Sequence, residues 1–312
     1  VIGSITGNAM KAGVGGKHSG GDAAGDAVAA RDRGRRRHSR EDVADLPRSL
    51  DWRRIDGTNW DKGARRYQGL CGSCYAIAAV EMLEARVRVR SNGTLPTPRL
   101  SVASITQCSR YNQGCDGGYP YLAMKHGQDI GVALTDCVPD TPGSDKTLRR
   151  KQCDLDAACA VRVSSYGYVG GYYGGGTERA MMEALLGGPI VTSFYVPGDF
   201  MMYGEGVYHA EDRADGDMDG PGLRAPPSLY ADGVQPWRKT AHSVLLVGWG
   251  EELPSEGAGS YDKHGGYVAA TGPERYWICR NSWGKEWGEA GYFRIRRGTD
   301  ECGSTSLGPG PY

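Results

Sequence analysis

The order of helical and strand-like patterns is the feature that most constrains the fold of this chain. In the first half, apolar residues recur at helical spacing from Ser73 onward, and a shorter helix is predicted to open at Ser101. In the second half, Gly and Pro separate the β-type runs GPIVTSFYV, HSVLLVGWG, RYWICRNSW and GYFRIRRG. Helices followed by strands predict an α+β protein whose halves pack as two lobes, with the cleft between them as the ordinary place for catalysis.

The first predicted helix carries two kinds of position. Its apolar residues predict a segment that is buried at its start and amphipathic later, and they are Ile77, Val80, Met82, Leu83 and Val87. Its charged residues are expected on the solvent side, and they are Glu81, Glu84, Arg86 and Arg88.

Three segments have no such period. Residues 1–45 contain no aromatic residue and end in the charge run RDRGRRRHSRED, a composition that cannot bury enough apolar surface to offset chain entropy. They are predicted to form a flexible tail, and folding is expected to begin at Leu46. The segments 211–239, acidic and then Pro-rich, and 251–274, rich in Gly, are predicted to be surface loops.

Charge and hydropathy exclude two classes of partner. Lys and Arg total 37 and Asp and Glu also total 37, so no basic field is present to hold nucleic acid or an anionic membrane. The longest strongly apolar run, SVLLVGW, is far shorter than the roughly 20 residues of a membrane-spanning helix. The acidic stretch DGDMDG begins like a calcium loop but has Pro226 where the pattern requires Glu, so no metal site is predicted.

The cysteine count favours an oxidising compartment with several disulfides and at least one free thiol. The sequon at Asn92 agrees with a secretory route and N-glycosylation, although such a tripeptide also arises by chance. The nine cysteines are Cys71, Cys74, Cys108, Cys115, Cys137, Cys153, Cys159, Cys279 and Cys302.

The pair Cys71 and Cys74 in QGLCGSCYAIAAV is open to four interpretations. A zinc site needs a second pair, yet Cys108 and Cys115 stand seven residues apart with no His pair near them. A thioredoxin-like redox pair needs a preceding strand, which this region lacks. Both cysteines could instead be structural. In the fourth interpretation Cys74 is a nucleophile, because the first turn of a helix can lower the pKa of a thiol.

A nucleophilic thiol needs a general base, and one histidine is well placed to be it. His242 opens the apolar strand HSVLLVGWG, where a rigid element could hold an imidazole. Asn281 could accept the proton of one ring nitrogen and fix the tautomer, and Trp283 could shield that bond from water. The other histidines lack such a setting: His18 and His38 in the tail, His126 in a helical pattern, His209, and His264 in a Gly-rich loop.

Four blocks in order resemble the papain-like cysteine peptidases: QGLCGSCYAIA, GCDGGYP, HSVLLVGWG and NSWGKEWGEAGYFRIRRG. The resemblance spans Leu46 to Leu307 and implies a papain-like two-lobed α+β fold, with a helical left lobe, a β-barrel-like right lobe and the active-site cleft between them. His242 and Asn281 follow Cys74 by 168 and 207 residues, against the roughly 130–150 typical of the family. The two predicted loops account for the extra length.

The resemblance implies a mechanism and a set of roles. Cys74, as a thiolate paired with the His242 imidazolium, would attack the scissile carbonyl and form an acyl-enzyme that water hydrolyses. The side-chain amide of Gln68 and the backbone N–H of Cys74 would hold the oxyanion. Gly117 and Gly118 would let the substrate backbone approach closely. No metal and no organic cofactor is implied.

Within the family, Tyr75 after the cysteine and the stretches GYVGGYYGGG, MLEAR and FRIRRGTDEC are similar to the cathepsin C (dipeptidyl peptidase I) subfamily, including its protist members. That similarity implies a chloride ion held by Tyr121 and Tyr168. The positions that would bind substrate are Gly117, Gly118, Pro120, Tyr121, Tyr168, Ser243, Trp283 and Leu307.

The same matching implies how the chain is cross-linked and processed. The disulfides would join Cys71 to Cys115, Cys108 to Cys153, and Cys137 to Cys159. Residues 1–45 would be the tail of an activation peptide and 46–312 the peptidase domain, cut into a heavy chain 46–224 and a light chain 225–312.

The subfamily resemblance also implies partners and a location. Peptides and proteins would be the substrates, an exclusion domain from the same precursor would restrict cleavage to dipeptides at free N-termini, and four copies could form a tetramer. The expected location is the lysosome, an equivalent acidic secretory compartment, or outside the cell. Without an exclusion domain the chain would be an endopeptidase, and a non-catalytic binding homologue is a further alternative.

Overall fold

The structure of the 312-residue chain is a computed structural model. It describes residues 46–63, 65–140, 153, 155–209, 242–253, 259–261, 267–269 and 272–304. The predicted tail, the acidic loop, the predicted cut after Arg224, and Leu307 lie outside these ranges. Among the described residues, no helix has the length and apolarity to cross a bilayer. In the same ranges, no group of three or more His, Cys, Asp or Glu side chains could hold a metal ion.

The helices of the described part lie in the first lobe and at its border with the sheet. They are α1 (Cys74–Arg90), α2 (Val102–Cys108), α3 (Pro120–Asp129) and α4 (Glu178–Leu186). The helix predicted after Ser101 is confirmed: the Ser101 hydroxyl accepts a hydrogen bond from the Ser104 N–H at 3.1 Å, which satisfies one of the unpaired amides of the first turn.

A six-stranded sheet makes up the second lobe of the described chain. Its strands follow the order β1 (Leu50–Asp51), β6 (His242–Glu252), β9 (Glu274–Arg280), β10 (Tyr292–Arg296) and β5 (Val207–Tyr208), and β4 (Ile190–Phe194) also pairs with β6. Neighbouring strands are antiparallel except for β10 and β5, which are parallel. The four β-type runs seen in the sequence therefore become β4, β6, β9 and β10, which confirms the predicted α+β two-lobed fold.

The first helix departs from expectation on its charged face. Glu81 and Glu84, predicted to face solvent, are only 2% and 5% exposed. The reason is that α1 packs against α2, α3, β4 and β6, so other elements cover the face on which these carboxylates lie. The guanidinium groups of Arg66 and Arg280 provide the compensating charge.

The segment 251–274 is not a loop throughout, so that prediction is wrong. β6 continues to Glu252, β9 begins at Glu274, and between them β7 (Gly259–Tyr261) pairs antiparallel with β8 (Tyr267–Ala269). Short strands containing Tyr and Val can pair across a turn although they are too brief to show a period in the sequence. A second short pair, β2 (Val132–Ala133) with β3 (Ala160–Val161), lies in the first lobe.

Three disulfides join parts of the helical lobe, and they are the pairs that the family resemblance implies. Cys71 is bonded to Cys115, Cys108 to Cys153, and Cys137 to Cys159. Of the other three cysteines, Cys74 is half-buried, whereas Cys279 and Cys302 are buried.

Candidate active site

Cys74 is the first residue of α1, and the loop before it is tied to a glycine-rich turn. The disulfide from Cys71 reaches Cys115, and the Gly72 N–H donates to the Cys115 carbonyl at 2.8 Å. A Cβ at Gly72 would lie 2.7 Å from that carbonyl oxygen, so any side chain there would push the two segments apart. The disulfide and the hydrogen bond therefore fix the chain just before Cys74.

The electrostatic setting of Cys74 differs from the one expected of a helix start alone. Burial raises the pKa of the Cys74 thiol, and it outweighs the backbone N–H groups of Ser243, Tyr75 and Cys74, which lower it. The pKa is thus raised where the helix position predicted a lowered value. Desolvation opposes the isolated thiolate more strongly than the amides favour it.

Those amides also reveal which strand meets the thiol. Ser243 is the second residue of β6, and its backbone N–H is near enough to the Cys74 thiol to lower its pKa. The start of α1 and the start of β6 therefore converge. His242, the first residue of β6, directly precedes Ser243 on this strand.

His242 is enclosed by aromatic side chains and by one amide. Its Nε2 lies 2.7 Å from the Asn281 Oδ1. The indole of Trp283 stacks on the imidazole with ring centroids 5.0 Å apart, and Phe194, its partner across β4 and β6, meets it edge-on at 5.9 Å. Burial lowers the pKa of His242 to about 4, although the hydrogen bond to Asn281 acts to raise it.

The orientation of the Asn281 amide fixes the tautomer of His242. Asn281 Oδ1 also accepts a hydrogen bond from the Ser282 N–H at 2.8 Å. Because a backbone N–H can only donate, the atom that it meets is the amide oxygen, and His242 Nε2 must carry the proton toward it. The Nδ1 of the neutral ring is thereby left as the basic nitrogen.

Burial acts on Cys74 and His242 in opposite directions. It raises the pKa of the thiol and lowers that of the imidazole. Each group taken alone therefore favours its uncharged form, a thiol and a neutral imidazole.

Gln68 is held by a residue that sequence reasoning missed. The Ser282 hydroxyl donates to Gln68 Oε1 at 2.5 Å, and the Gln68 N–H donates to the Ser282 carbonyl at 2.9 Å. The Gln68 Nε2 donates to the Cys71 carbonyl at 3.1 Å, which leaves its second hydrogen available. Ser282 lies between Asn281 and Trp283 in the NSW stretch. This position was the sequence signal that could have indicated a role for Ser282 in the site.

The two glycines expected to line the cleft have different surroundings. Gly117 has φ 110°, which disfavours any side chain, and a Cβ there would meet nothing within 4 Å. A Cβ at Gly118 would lie 2.8 Å from the ring of Tyr75, which is fully buried and donates to the Gly114 carbonyl at 3.1 Å. Gly117 therefore faces open space, whereas Gly118 is packed on the residue after the cysteine.

The tyrosines implied as an anion site form part of an aromatic cluster. Tyr121 stacks on Tyr168 with centroids 4.2 Å apart, and Tyr166, which sequence reasoning missed, meets Tyr121 edge-on at 4.8 Å. Burial, followed by the neighbouring Tyr121, raises the pKa of Tyr168 to about 12, so its hydroxyl stays protonated and able to donate. Neutral phenols of this kind fit an anion such as chloride.

The remaining implied positions lie on α3, on β6 and after α1. Pro120 is the first residue of α3 and is buried. The Ser243 hydroxyl lies 2.9 Å from the Ser193 hydroxyl in the interior. Asn92 follows α1, is exposed, and has φ 47°. His209 is exposed, and His126 is buried in α3.

Comparison with protein families returns one match over most of the chain. The model described as "Papain family cysteine protease" matches residues 46–219 and 226–308. "Cathepsin C" of Schistosoma mansoni is 39% identical over 272 residues, covering 85% of this chain and 51% of that protein. "Dipeptidyl aminopeptidase 1" of Plasmodium falciparum is 28% identical over 333 residues, covering 85% of this chain and 44% of its own length. The chain thus spans about half the length of these relatives.

Solved structures agree on the fold. The digestive procathepsin L 3 of Tenebrio molitor larval midgut superposes with a TM-score of 0.59 at 23% identity, over 86% of this chain and 69% of that one. The proform of the ragweed pollen allergen Amb a 11 superposes with a TM-score of 0.60 at 23% identity, over 86% and 65%.

Proposed function

The chain belongs to the papain family of cysteine proteases, and on that premise we propose that it hydrolyses peptide bonds through Cys74 and His242 and releases dipeptides from free N-termini. The observation that carries the proposal is the packing of α1 against β6, with the Ser243 N–H near enough to lower the pKa of the Cys74 thiol and His242 held 2.7 Å from Asn281. A thiol, an imidazole and an amide that orients the imidazole are the parts that this chemistry requires.

In the first step, the Cys74 thiol gives its proton to His242 Nδ1 and the sulfur attacks the carbonyl carbon of the scissile bond. The carbonyl oxygen becomes an oxyanion, which the free hydrogen of Gln68 Nε2 and the Cys74 N–H stabilise. Loss of one donor of this kind commonly raises the barrier by about 2.7–4 kcal/mol. The His242 imidazolium then protonates the leaving amine as the C–N bond breaks, which leaves an acyl-enzyme on Cys74.

In the second step, His242 removes a proton from water, and the resulting hydroxide attacks the thioester. Collapse of this second tetrahedral species expels the Cys74 thiolate and releases the acid product. The pair of Cys74 and His242 then holds one proton again. With Cys74 as a neutral thiol, a second proton reaches His242 only near pH 4, where burial has set its pKa. The pair therefore remains competent in an acidic compartment, which supports a lysosomal or secretory location.

The substrate is proposed to lie along the glycine turn. The open space beside Gly117 suits an extended peptide that pairs with the backbone. The second residue from the cut would fit against Pro120, Tyr121, Tyr168 and Ser243. Trp283 would line the cleft beyond the cut, and chloride would bind the hydroxyls of Tyr121 and Tyr168.

The preference for dipeptides rests on the relatives and on their length. Two of them are named for that subfamily or activity, and both are about twice as long as the matched segment. We therefore include in the proposal an exclusion domain from the same precursor that binds the free amine and closes the cleft, and a homo-tetramer. The proposed peptidase domain is 46–312, with heavy chain 46–224 and light chain 225–312.

Turnover of two matched substrates tests the proposal. The complete protein is expected to cleave a fluorogenic dipeptide amide with a free N-terminus and to leave the same substrate with a blocked N-terminus intact. Cys74→Ala is expected to abolish turnover, because the nucleophile is lost.

Cys279→Ala is the matched control, since it also removes a thiol that forms no disulfide but one buried in β9, and it is expected to stay active. Equal cleavage of the blocked substrate would contradict the dipeptide preference and indicate an endopeptidase. Turnover that survives in Cys74→Ala would contradict the mechanism.

A further inference from the structure

A cluster of buried charged side chains lies behind the active site. Charged residues are seldom this well hidden unless they are paired. Asp61, Glu81, Glu84 and Arg280 are each no more than 5% exposed, and the side chain of Arg66 is 13% exposed. The mechanism proposed above uses none of these five residues.

The guanidinium of Arg280 joins two carboxylates from different parts of the chain. Its Nη1 donates to Asp61 Oδ1 at 2.7 Å, and its Nη2 lies 2.8 Å from Glu81 Oε1. The other oxygen of Asp61 accepts from the Tyr292 hydroxyl at 2.6 Å. Because Tyr292 stands opposite Arg280 across β9 and β10, Asp61 clamps a cross-strand pair of side chains.

A second guanidinium extends the cluster along α1. Arg66 binds both oxygens of Glu84, with Nη1 3.0 Å from Oε2 and Nη2 2.9 Å from Oε1. The same side chain lies 3.9 Å from Glu81 Oε1. Glu84 Oε1 also accepts from the Leu100 N–H at 2.8 Å, so this end of the cluster is satisfied by hydrogen bonds.

The cluster touches the chain segments that carry the proposed catalytic groups. Glu81 follows Cys74 by seven residues on α1, which is almost two full turns, so both side chains lie within about 20° of one face and roughly 10 Å apart along the axis. Arg280 directly precedes Asn281, and Arg66 stands two residues before Gln68. The contact between Arg280 and Glu81 therefore bridges the helix of the nucleophile and the strand that leads to Asn281.

The charge count of the cluster argues against a purely stabilising role. Four carboxylates, Asp61, Glu81, Glu84 and the more exposed Asp140, face the two guanidinium groups of Arg66 and Arg280. Burial raises the pKa of Glu81 to about 7, helped by Asp61 and Glu84 and opposed by both arginines. A buried carboxylate in excess of its counter-charges costs stability when it ionises, so its retention calls for another benefit.

Gly63 has no side chain, and this leaves room for the guanidinium of Arg280. A Cβ at Gly63 would lie 2.6 Å from Arg280 Nη1 and 3.0 Å from Nη2. Even a methyl group at this position would displace the guanidinium while leaving the number of charges in the cluster unchanged.

We propose that Glu81, Arg280 and Asp61 are positioning residues that set the distance between Cys74 on α1 and Asn281 after β9, and through Asn281 the direction in which His242 faces the thiol. This inference rests on the proposed function, because it assigns those three groups to catalysis. A displacement of Asn281 by a fraction of an ångström misdirects the imidazole without removing any catalytic group.

Glu81→Gln tests the network with little change in shape, and it leaves three carboxylates, Asp61, Glu84 and Asp140, facing the two guanidinium groups. At pH 8, above the pKa of Glu81, kcat is expected to fall about tenfold while KM stays within about twofold. Alkylation of Cys74 by iodoacetamide, which reports the thiolate, is expected to need a higher pH because His242 accepts the proton less well. Gly63→Ala is expected to produce the same two changes by displacing Arg280.

Glu178→Gln is the matched control. Glu178 forms an ion pair with the buried Arg297 at the start of α4, away from the segments that carry the catalytic groups. This variant is expected to keep the kcat and the alkylation profile of the wild type.

The outcomes separate the inference from the proposed function. If Glu81→Gln and Gly63→Ala fold and match Glu178→Gln in kcat and in the alkylation profile, the positioning role is overturned. If Glu81→Gln does not fold, Gly63→Ala alone decides. If the wild type and Glu178→Gln cleave no peptide, the proposed function fails, and the alkylation profiles still test the network.

Discussion

Two buried histidines, His242 and His126, lie in different regions of the molecule, and burial lowers the pKa of both. His242 is 4% exposed and His126 is 0% exposed, and burial lowers the pKa of each to about 4. His242 opens β6 at the border between the lobes, with Asn281 at 2.7 Å and Trp283 stacked upon it. His126 lies inside α3, and within the described part of the chain neither of its ring nitrogens has a hydrogen-bond partner.

The comparison teaches that burial alone does not make a histidine catalytic. Desolvation keeps both rings neutral, but of the two only His242 has a partner that fixes its tautomer and stands next to Ser243, whose backbone N–H acts on the Cys74 thiol. His126 has lost its hydration with no hydrogen bond in return, which makes it a cost to stability rather than a reagent. Each prediction below replaces or alters one member of the pair.

The largest expected effect separates the two histidines by activity. His242→Ala is expected to lower kcat about a thousandfold, because the base that takes the Cys74 proton is lost. His126→Leu, which fills a similar volume, is expected to change kcat less than about twofold, since α3 carries no group that acts on the bond. Steady-state rates on the free-amine dipeptide amide measure both. A large loss of kcat in a His126→Leu variant that still folds would contradict the distinction between the two histidines.

The next largest expected effect is on the free energy of unfolding as the pH falls. Because the pKa of His126 is lowered from 6.5 to about 4 in the folded state, the unfolded chain binds a proton there as the pH falls below 6.5 and the folded chain does not until about pH 4. The free energy of unfolding is therefore expected to fall by about 3 kcal/mol between pH 7 and pH 4 through this group.

His126→Leu is expected to remove that share of the pH dependence. Urea unfolding of wild type and variant at several pH values measures it. Among the described residues, the charge that opposes the shift in His126 is Asp129 at the end of the same helix. Parallel losses of stability in the two proteins would contradict the assignment.

The smallest expected effect comes from removing the hydrogen-bond partner of the His242 ring, so that, like His126, it has lost this bond. Asn281→Ala removes the partner of Nε2 and leaves the imidazole oriented only by Trp283 and Phe194. We expect kcat to fall on the order of tenfold, which is typical for loss of a group that orients a reacting residue. Cleavage rates would show it, with Asn112→Ala as a control amide whose oxygen accepts the Tyr119 N–H instead. An unchanged kcat in Asn281→Ala would mean that packing alone orients the ring.

Much of the fold could be predicted from patterns in the chain. The periodic spacing of apolar residues predicts two helices, one after Ser73 and one after Ser101. The Gly and Pro residues that separate the β-type runs predict the strands that become β4, β6, β9 and β10. The ribbon of β7 and β8 was missed because three-residue strands are too short to show a period. Its pairing depends on the partner strand, which no local pattern contains.

The candidate site was predictable only in part. His242 and Asn281 stood out because one opens an apolar strand and the other precedes a Trp, and the structure brings them within hydrogen-bond distance. The role of Ser282 in holding Gln68 depends on a contact between residues 214 positions apart. The raised pKa of the Cys74 thiol was likewise out of reach, since desolvation depends on what covers the sulfur.

By itself, the sequence determined the order of helices and strands, the residues able to act as nucleophile, base and orienting amide, and the cysteines available for cross-links. Only the tertiary structure decided which side chains lose their water. Glu81 and Glu84 have the same local pattern as an exposed helix face, yet they are buried because α2, α3, β4 and β6 pack against α1, while Arg66 and Arg280 pair with the two carboxylates. Burial and pKa are set by packing between elements distant in the chain, so the charged network behind Cys74 exists only in the folded protein.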